Sequence, residues 1–408
     1  MKNKKNPMSQ AMVFIALFGI VSLFSDMTHE GASSIRGVYL SLLGASAGTI
    51  GFISGLGELI GYSMRYVFGK ITDKTKKYWP MTILGYVLDI AAVPALALVG
   101  KNGWIAACAL LVVQRMGKAV KKPAKDTVMS FAASQAGSGK SFALQELLDQ
   151  IGAFLGPVLI YLIMLFKTDG DVFKIYSAAF AFLAVPGSVT LLLLFYTKKK
   201  FPNPENFEPE PKKYQTFHMK KEFILYIAGI SLFAFGFIDY SIIIMHVSRA
   251  LPSIAASGGV FSSLINESTL PLLYSGAMLI DAFSALFFGY MYDKNGVKAL
   301  VLSTIISAPF ALFVFAFDSA AMIILGIALW GVGMGAQESI LKAAVTDMVP
   351  KSCRATGYGI FECSFGFFWF IGSWLLGVLY EINPVYMIVL SVAAQLAAVP
   401  FYISSSAK

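Results

Sequence analysis

Long apolar runs separated by short polar stretches recur along the whole chain. They fall at roughly 9–35, 47–68, 79–99, 103–122, 142–166 and 173–196, and again at 222–249, 268–291, 298–317, 319–346, 354–380 and 383–403. Several reach the roughly 20 residues a helix needs to cross a bilayer. The alternating segments of about ten residues that build a membrane barrel are absent. The pattern predicts an all-α membrane protein of twelve transmembrane helices. Between the two sets of six lies KKKFPNPENFEPEPKKYQTFHMKK, 198–221, rich in charge and proline and almost without apolar residues. It reads as a cytoplasmic linker between an N-terminal six-helix half, 1–197, and a C-terminal one, 222–408.

The halves resemble each other. GKITDK after the second run (69–74) returns as GYMYDK after the eighth (289–294), and SFALQE (141–146) corresponds to GYGIFE (357–362). Gly156 and Gly372 keep the second spacing, and Asp26 and Asp239 each lie partway along the first run of their half. Similar segments in the same order at nearly equal offsets imply an internal duplication, hence two pseudo-symmetric six-helix bundles.

Composition agrees. Of 408 residues, 57% are hydrophobic and 13% charged, with mean hydropathy +0.70, whereas a soluble domain carries about 25% charged residues. The formal charge of +9 would point to nucleic acid in a soluble protein. Here it follows the rule that cytoplasmic loops collect Lys and Arg, so no nucleic-acid partner is expected. With the N-terminus inside, Lys70, Lys74, Lys76, Lys77, Lys118, Lys121, Lys122, Lys125, the linker lysines, Lys294, Lys298, Lys351 and Arg354 fall on one side. Only Lys101, Lys167, Lys174 and Arg249 fall on the other. This predicts a multi-pass protein of the cytoplasmic (inner) membrane with both termini cytoplasmic. The start, MKNKKNPMSQ, reads as a basic tail and not a cleaved leader. Cys108, Cys353 and Cys363 have no metal or disulfide spacing.

Charge inside a membrane span is costly, about 2.5–3.5 kcal/mol per group on insertion scales, so each intramembrane ionisable residue needs a reason. The first run carries Asp26, His29, Glu30, Ser33 and Arg36, with 26, 29, 30 and 33 on one helical stripe. Glu58, Arg65, Asp89, Arg115, Glu146 and Asp149 extend the set in the N-terminal half. Asp239, His246, Asp281, Gln337, Glu338, Lys342 and Glu362 are the C-terminal counterparts. A buried carboxylate can load and release a proton as access alternates, which makes Asp26 and Glu30 the leading proton carriers. The competing reading is a fixed ion pair with Arg36, Arg65 or Arg115. A different chemistry is open to Asp26, His29 and Glu30, which could ligate a divalent metal with His246 approaching from the seventh run. GSGKS (137–141) lacks the strand and helix context of a phosphate loop, and the aromatic run around Trp369 reads first as packing.

GKITDKTKK resembles the loop between the second and third helices of the major facilitator superfamily, with Gly69, Asp73, Lys74 and Lys77 matching and Lys76 where a Gly is usual. GYMYDKNGVK matches more fully through Gly289, Asp293, Lys294, Gly296 and Lys298. Arg115 resembles the family's Arg on the fourth helix, and Gly152-Ala-Phe-Leu-Gly156-Pro157 resembles the fifth-helix motif of antiporters. SDMTHE, RMGKAVKKPAKD and LDQIGAFLGP are similar to a branch of bacterial and archaeal permeases. The resemblance implies two six-helix halves, a conformational latch at Gly69, Asp73, Lys74, Gly289, Asp293 and Lys294, and no enzymatic activity.

The expectation is a monomeric secondary transporter that moves a small molecule by alternating access, by proton-coupled export (antiport). Its coupling and substrate candidates are Asp26, His29, Glu30, Glu58, Arg115, Glu146, Asp149, Asp239 and Asp281. No cofactor is expected beyond the coupling proton. The alternative is a carrier of divalent metal or another cation using Asp26, His29, Glu30 and His246. A membrane-embedded enzyme would need a nucleophile–base or metal constellation that the sequence does not display.

Overall fold

The computed structural model describes residues 7–136, 138–166, 170–207, 219–258, 261–349 and 354–405. Among them are twelve helical spans and no strand. In chain order they are α1 (Pro7–Leu42), α2 (Ala47–Thr75), α3 (Tyr78–Ala95), α4 (Trp104–Ala136), α5 (Ser138–Phe166), α6 (Val172–Lys200), α7 (Lys221–Ala256), α8 (Leu270–Asn295), α9 (Lys298–Phe315), α10 (Ala320–Met348), α11 (Arg354–Ile382) and α12 (Pro384–Ser405). Ten are long and apolar enough to cross a membrane. The other two, α2 and α4, have the length with lower hydropathy, and α4 carries Gln114, Arg115, Lys118 and Lys121 along its course.

One expectation is corrected here. The fourth apolar run is expected to end near 122, with Lys118, Lys121, Lys122 and Lys125 on the cytoplasmic side, but α4 continues to Ala136 and all four lie on it. Lys121 and Lys125 are buried. The helix runs on past these lysines because other spans supply partners for the charge.

The duplication has a structural counterpart. In the N-terminal half Gly156 of α5 lies against α1, where a Cβ would stand 2.4 Å from the Met27 carbonyl oxygen. In the C-terminal half Gly372 of α11 lies against α7, where a Cβ would stand 2.1 Å from the Phe235 carbonyl oxygen. Small residues at such crossings let helix backbones approach within a bilayer.

Span α7 is broken between Gly236 and Tyr240. Backbone freed inside a membrane must find partners within the protein, and it does. Ser391 Oγ donates to Gly236 O at 2.6 Å and Trp330 Nε1 to Ile238 O at 3.0 Å. Asp239 restarts the helix as its N-cap, accepting from Ser241 N at 2.8 Å.

The start of α1, the end of α6, the start of α7 and the end of α12 lie at one end of the bundle (the terminal end), and the α1–α2 turn lies at the other (the distal end). One buried apolar cluster joins the whole C-terminal half to the distal part of the N-terminal half, through Ile35, Tyr39, Ile50, Leu96 and Leu111. The terminal part of the N-terminal half has a separate cluster around Phe14, Phe18, Trp79 and Phe201. The halves share that core toward the distal end, and α2 and α11 stay in contact further along, where Tyr62 packs 5.6 Å from Phe365 and Arg65 pairs with Glu362 at 3.5 Å. Polar contacts agree: Glu381 accepts from Ala47 N at 2.7 Å, and Arg249 donates to Ser41 Oγ at 3.2 Å.

Candidate functional site

Spans α1 and α4 run antiparallel and place two polar stripes face to face. On α4, Gln114, Lys118, Lys121 and Lys125 recur at i, i+4, i+7 and i+11, one side of a helix. Opposite them stand Ser22, Ser25, Asp26 and His29 of α1. Lys125 Nζ donates to Ser22 Oγ, and Lys121 Nζ donates to Ser25 Oγ at 3.1 Å. Gln114 Nε2 meets His29 Nδ1. Lys121 also pairs with Asp89 of α3 at 2.5 Å. That pair depends on Gly117, where a Cβ would lie 2.5 Å from Asp89 N. A buried cation is tolerated only when partnered in this way.

Asp26 is half-buried and lies within electrostatic range of Asp149 on α5, of Lys125 and Lys118 on α4, and of Glu30. Asp149 Oδ1 is buried without a hydrogen-bond partner among the described residues. Arg36, Arg65 and Arg115, the candidate partners of Asp26 and Glu30, are engaged elsewhere. Arg115 pairs with Glu58 at 2.7 Å, Arg65 with Glu362 at 3.5 Å, and Arg36 with Asp239 at 3.6 Å. Asp26 has no ion-pair partner among the described residues.

Glu30 reaches the other half. Tyr274 of α8 donates its hydroxyl to Glu30 Oε2 at 2.6 Å, while His29 Nε2 lies 3.7 Å from Glu30 Oε1. Behind Tyr274 stands an aromatic wall. Its ring centroid is 4.5 Å from that of Tyr240 and 6.4 Å from that of Trp330, and Phe237 links Trp330 to Trp369 at 5.7 and 5.6 Å. Charge is thus concentrated on the N-terminal face and aromatic surface on the C-terminal face.

A second crossing lies nearer the distal end. Arg36 Nε and Nη2 donate to Ser241 Oγ at 3.0 and 2.9 Å, and Ser54 of α2 reaches the same oxygen at 3.3 Å. Asp239, expected to mirror Asp26, is instead a helix cap and the partner of Arg36.

Other candidates stand apart. Glu146 is exposed and accepts from Gln150 at 3.4 Å. Asp281 is buried within the C-terminal half against α10, where a Cβ at Gly335 would lie 2.6 Å from its Oδ1. The four proposed metal ligands do not converge. Asp26 is directed toward α5 and α4, His29 toward Gln114 and Glu30 toward Tyr274, while His246 bonds Tyr380 at 3.0 Å and packs 4.7 Å from Phe315. Three neighbouring helices draw the α1 side chains apart, and among the described residues no group of three or more His, Cys, Asp or Glu gathers as a metal site.

Of the latch residues, Gly69 packs near Pro123 of α4 and Lys74, Asp293 and Lys294 are exposed. Gly289 lies on α8. The side chains of Asp73, Glu338, Lys342, Lys351 and Arg354 lie outside the described residues.

Sequence reasoning missed Lys118, Lys121 and Lys125 as site residues, together with Gln114, Ser241 and Tyr274. The spacing 114, 118, 121, 125 was a usable signal for the first group. Nothing local marked Ser241 or Tyr274, whose roles arise only from contact between the halves.

A bundle of twelve spans in two repeated halves, with buried charge between them, is the architecture of a secondary transporter. The sequence profile of the Major Facilitator Superfamily matches residues 8–266 and 240–406, and the chain belongs to that family. It is similar to an uncharacterized protein of Mycobacterium tuberculosis, 34% identical over 96% of this chain and 92% of that one. It is also similar to an uncharacterized MFS-type transporter of Methanocaldococcus jannaschii, 27% identical over 91% of this chain and 89% of that one. Among solved structures, a mutant of the nucleoside transporter NupG superposes with TM-score 0.76 at 14% identity, covering 97% of this chain and 100% of that one. A D-xylose–proton symporter gives 0.68 at 13% identity, covering 96% of each chain. The protein is a multi-pass membrane transporter with a small-molecule substrate, and not an enzyme.

Proposed function

We propose that this transporter couples movement of a small molecule to protons through Asp26, with Asp149 and the α4 lysines setting the charge around it. The observation that carries the reading is the allocation of arginines. Arg36, Arg65 and Arg115 each hold another acid, leaving Asp26 in a field shared by two carboxylates and two lysines. Such a group exchanges a proton at low cost when its surroundings rearrange. Glu30, bonded to Tyr274 across the halves, links that charge to their relative position.

Orientation follows from the exposed lysines. Lys70, Lys74, Lys76, Lys77, Lys198, Lys294 and Lys298 stand at the terminal end, which supports a cytoplasmic placement of both termini in the inner membrane. The shared core and the Glu381–Ala47 and Arg249–Ser41 bonds support a state closed at the distal end. Export against proton uptake follows from the likeness of Gly152–Pro157 to the antiporter motif, and a monomer supplies both halves of the pathway.

A thermal-shift screen of the purified protein at two pH values tests this reading. The panel spans organic cations, organic anions, sugars and nucleosides, with divalent metals included. Stabilisation by an organic compound that varies with pH in the wild type and not in Asp26→Asn is the expected result. Stabilisation by a metal, lost in Asp26→Asn, would overturn the proton assignment.

A further inference from the structure

A hollow of about 310 Å³ opens at the terminal end, where α2 finishes, α3 begins and α6 finishes. Lys76, Lys77 and Lys198 line it, with Trp79 and Pro202 forming part of its wall, and every charged side chain lining it is a lysine. All three lysines are exposed.

The scaffold under them is fixed. Lys76 ends α2 in the left-handed region at φ 54, its N–H bonded to Thr72 O at 2.8 Å. A non-glycine residue there is uncommon and needs a reason. Lys77 takes the cap position of α3 and has no acceptor to offer its first amides. Trp79 Nε1 is pinned to Phe201 O at 3.0 Å, which ties the start of α3 to the end of α6.

Three cations held together with no acid among the described lining residues repel one another, and a tetrahedral oxyanion among them relieves that repulsion with charge-assisted hydrogen bonds. Basic pockets between spans on the cytoplasmic side take lipid headgroups, and tryptophan belongs at that depth of a bilayer. We infer that this hollow binds a phosphate-bearing anion, the headgroup of an anionic phospholipid, through Lys76, Lys77 and Lys198. The site is built from the end of α2, the start of α3, and the end of α6 with the residues just after it, away from the network around Asp26. It rests on the orientation proposed above only for which leaflet supplies the lipid.

The test measures binding of phosphatidylglycerol to the full-length protein in neutral detergent, by native mass spectrometry and by thermal shift. Lys76→Gln/Lys77→Gln/Lys198→Gln is compared with Lys294→Gln/Lys298→Gln, a charge-loss control at the same end of the other half. The first variant should lose about fivefold in affinity for each lysine removed, and the control should keep wild-type affinity. Restoring arginine at the three positions should restore binding. Circular dichroism checks that the variants remain folded, which exposed lysines permit. Equal binding by the triple variant and the wild type, or equal loss in the control, would overturn the site. Displacement of phosphatidylglycerol by millimolar inorganic phosphate would identify a free anion as the ligand and overturn the lipid assignment. Retention of phosphatidylglycerol under that competition supports the headgroup.

Discussion

Lys121 Nζ lies 2.5 Å from Asp89 Oδ2, joining α4 to α3 inside the N-terminal half with both side chains buried. Breaking such a pair from one side leaves the remaining charge without compensation, which costs about 3–5 kcal/mol, whereas replacing both partners is far milder. Lys121→Met should therefore destabilise the protein strongly, and Lys121→Met/Asp89→Asn should recover most of the loss. Unfolding midpoints in detergent for the two singles and the double measure this. A double variant as unstable as the worse single would show that the pair is not the source of the effect.

Gly37 of α1 lies against α7, where a Cβ would stand 1.9 Å from the Ser241 carbonyl oxygen. Gly37→Ala is expected to hold the distal ends of the halves apart, since neither backbone can yield cheaply. Gly61→Ala, with nothing within 4 Å of its Cβ, is the matched control on α2. Reactivity of a cysteine introduced near the Arg36–Ser241 contact should rise in the first variant and stay unchanged in the second. Equal reactivity in both would contradict the closure described at this crossing.

The hydroxyl of Tyr274 is the C-terminal half's hold on Glu30. Tyr274→Phe keeps the ring against Tyr240 and Trp330 and removes only that donor. Hydrogen bonds to charged groups contribute about 1.5–3 kcal/mol, so the distal-closed state should lose roughly tenfold or more in population. Spin-label distances across the distal ends report this, and an unchanged distribution would mean the bond does not contribute to closure.

Asp171 lies in the turn before α6, outside the membrane. It caps the helix by accepting from Phe173 N at 3.1 Å and pairs with Lys101 at 2.5 Å. Lys101 above all, and then the Phe173 amide, hold its carboxyl below the usual carboxylate range. A carboxyl lowered in the folded state stabilises above its unfolded pKa and loses that contribution as pH falls through the folded value. Asp171→Asn should thus lower the thermal midpoint near neutral pH and converge with the wild type in strong acid. A difference independent of pH would assign the effect to the cap alone.

The twelve spans were legible because a bilayer demands long apolar helices and leaves little room for ambiguity. The polar stripe of α1 was legible for a related reason, as charge in a span is conspicuous. What failed was the far end of α4. Lys118, Lys121 and Lys125 resemble loop lysines by type, and only their helical spacing and the facing Ser22, Ser25 and Asp89 reveal them as interior. The metal reading took sequence neighbours on one helix to act together, and the described side chains do not converge. In the fold Asp26, His29 and Glu30 answer to α5, α4 and α8 in turn. Contacts between the halves, such as Arg36 with Ser241, join residues 205 positions apart and leave no local trace.

In the proposed cycle, protonation of Asp26 sets which end of the bundle is open. The most direct measurement places spin labels at Leu42→Cys and Ile382→Cys, both exposed at the distal end of their halves, in a chain whose native cysteines are replaced. Distances are read at mildly acid and mildly alkaline pH, with and without Asp26→Asn. The prediction is a distribution that shifts with pH in the wild type and is fixed in Asp26→Asn. A variant that keeps the full wild-type pH response would contradict it.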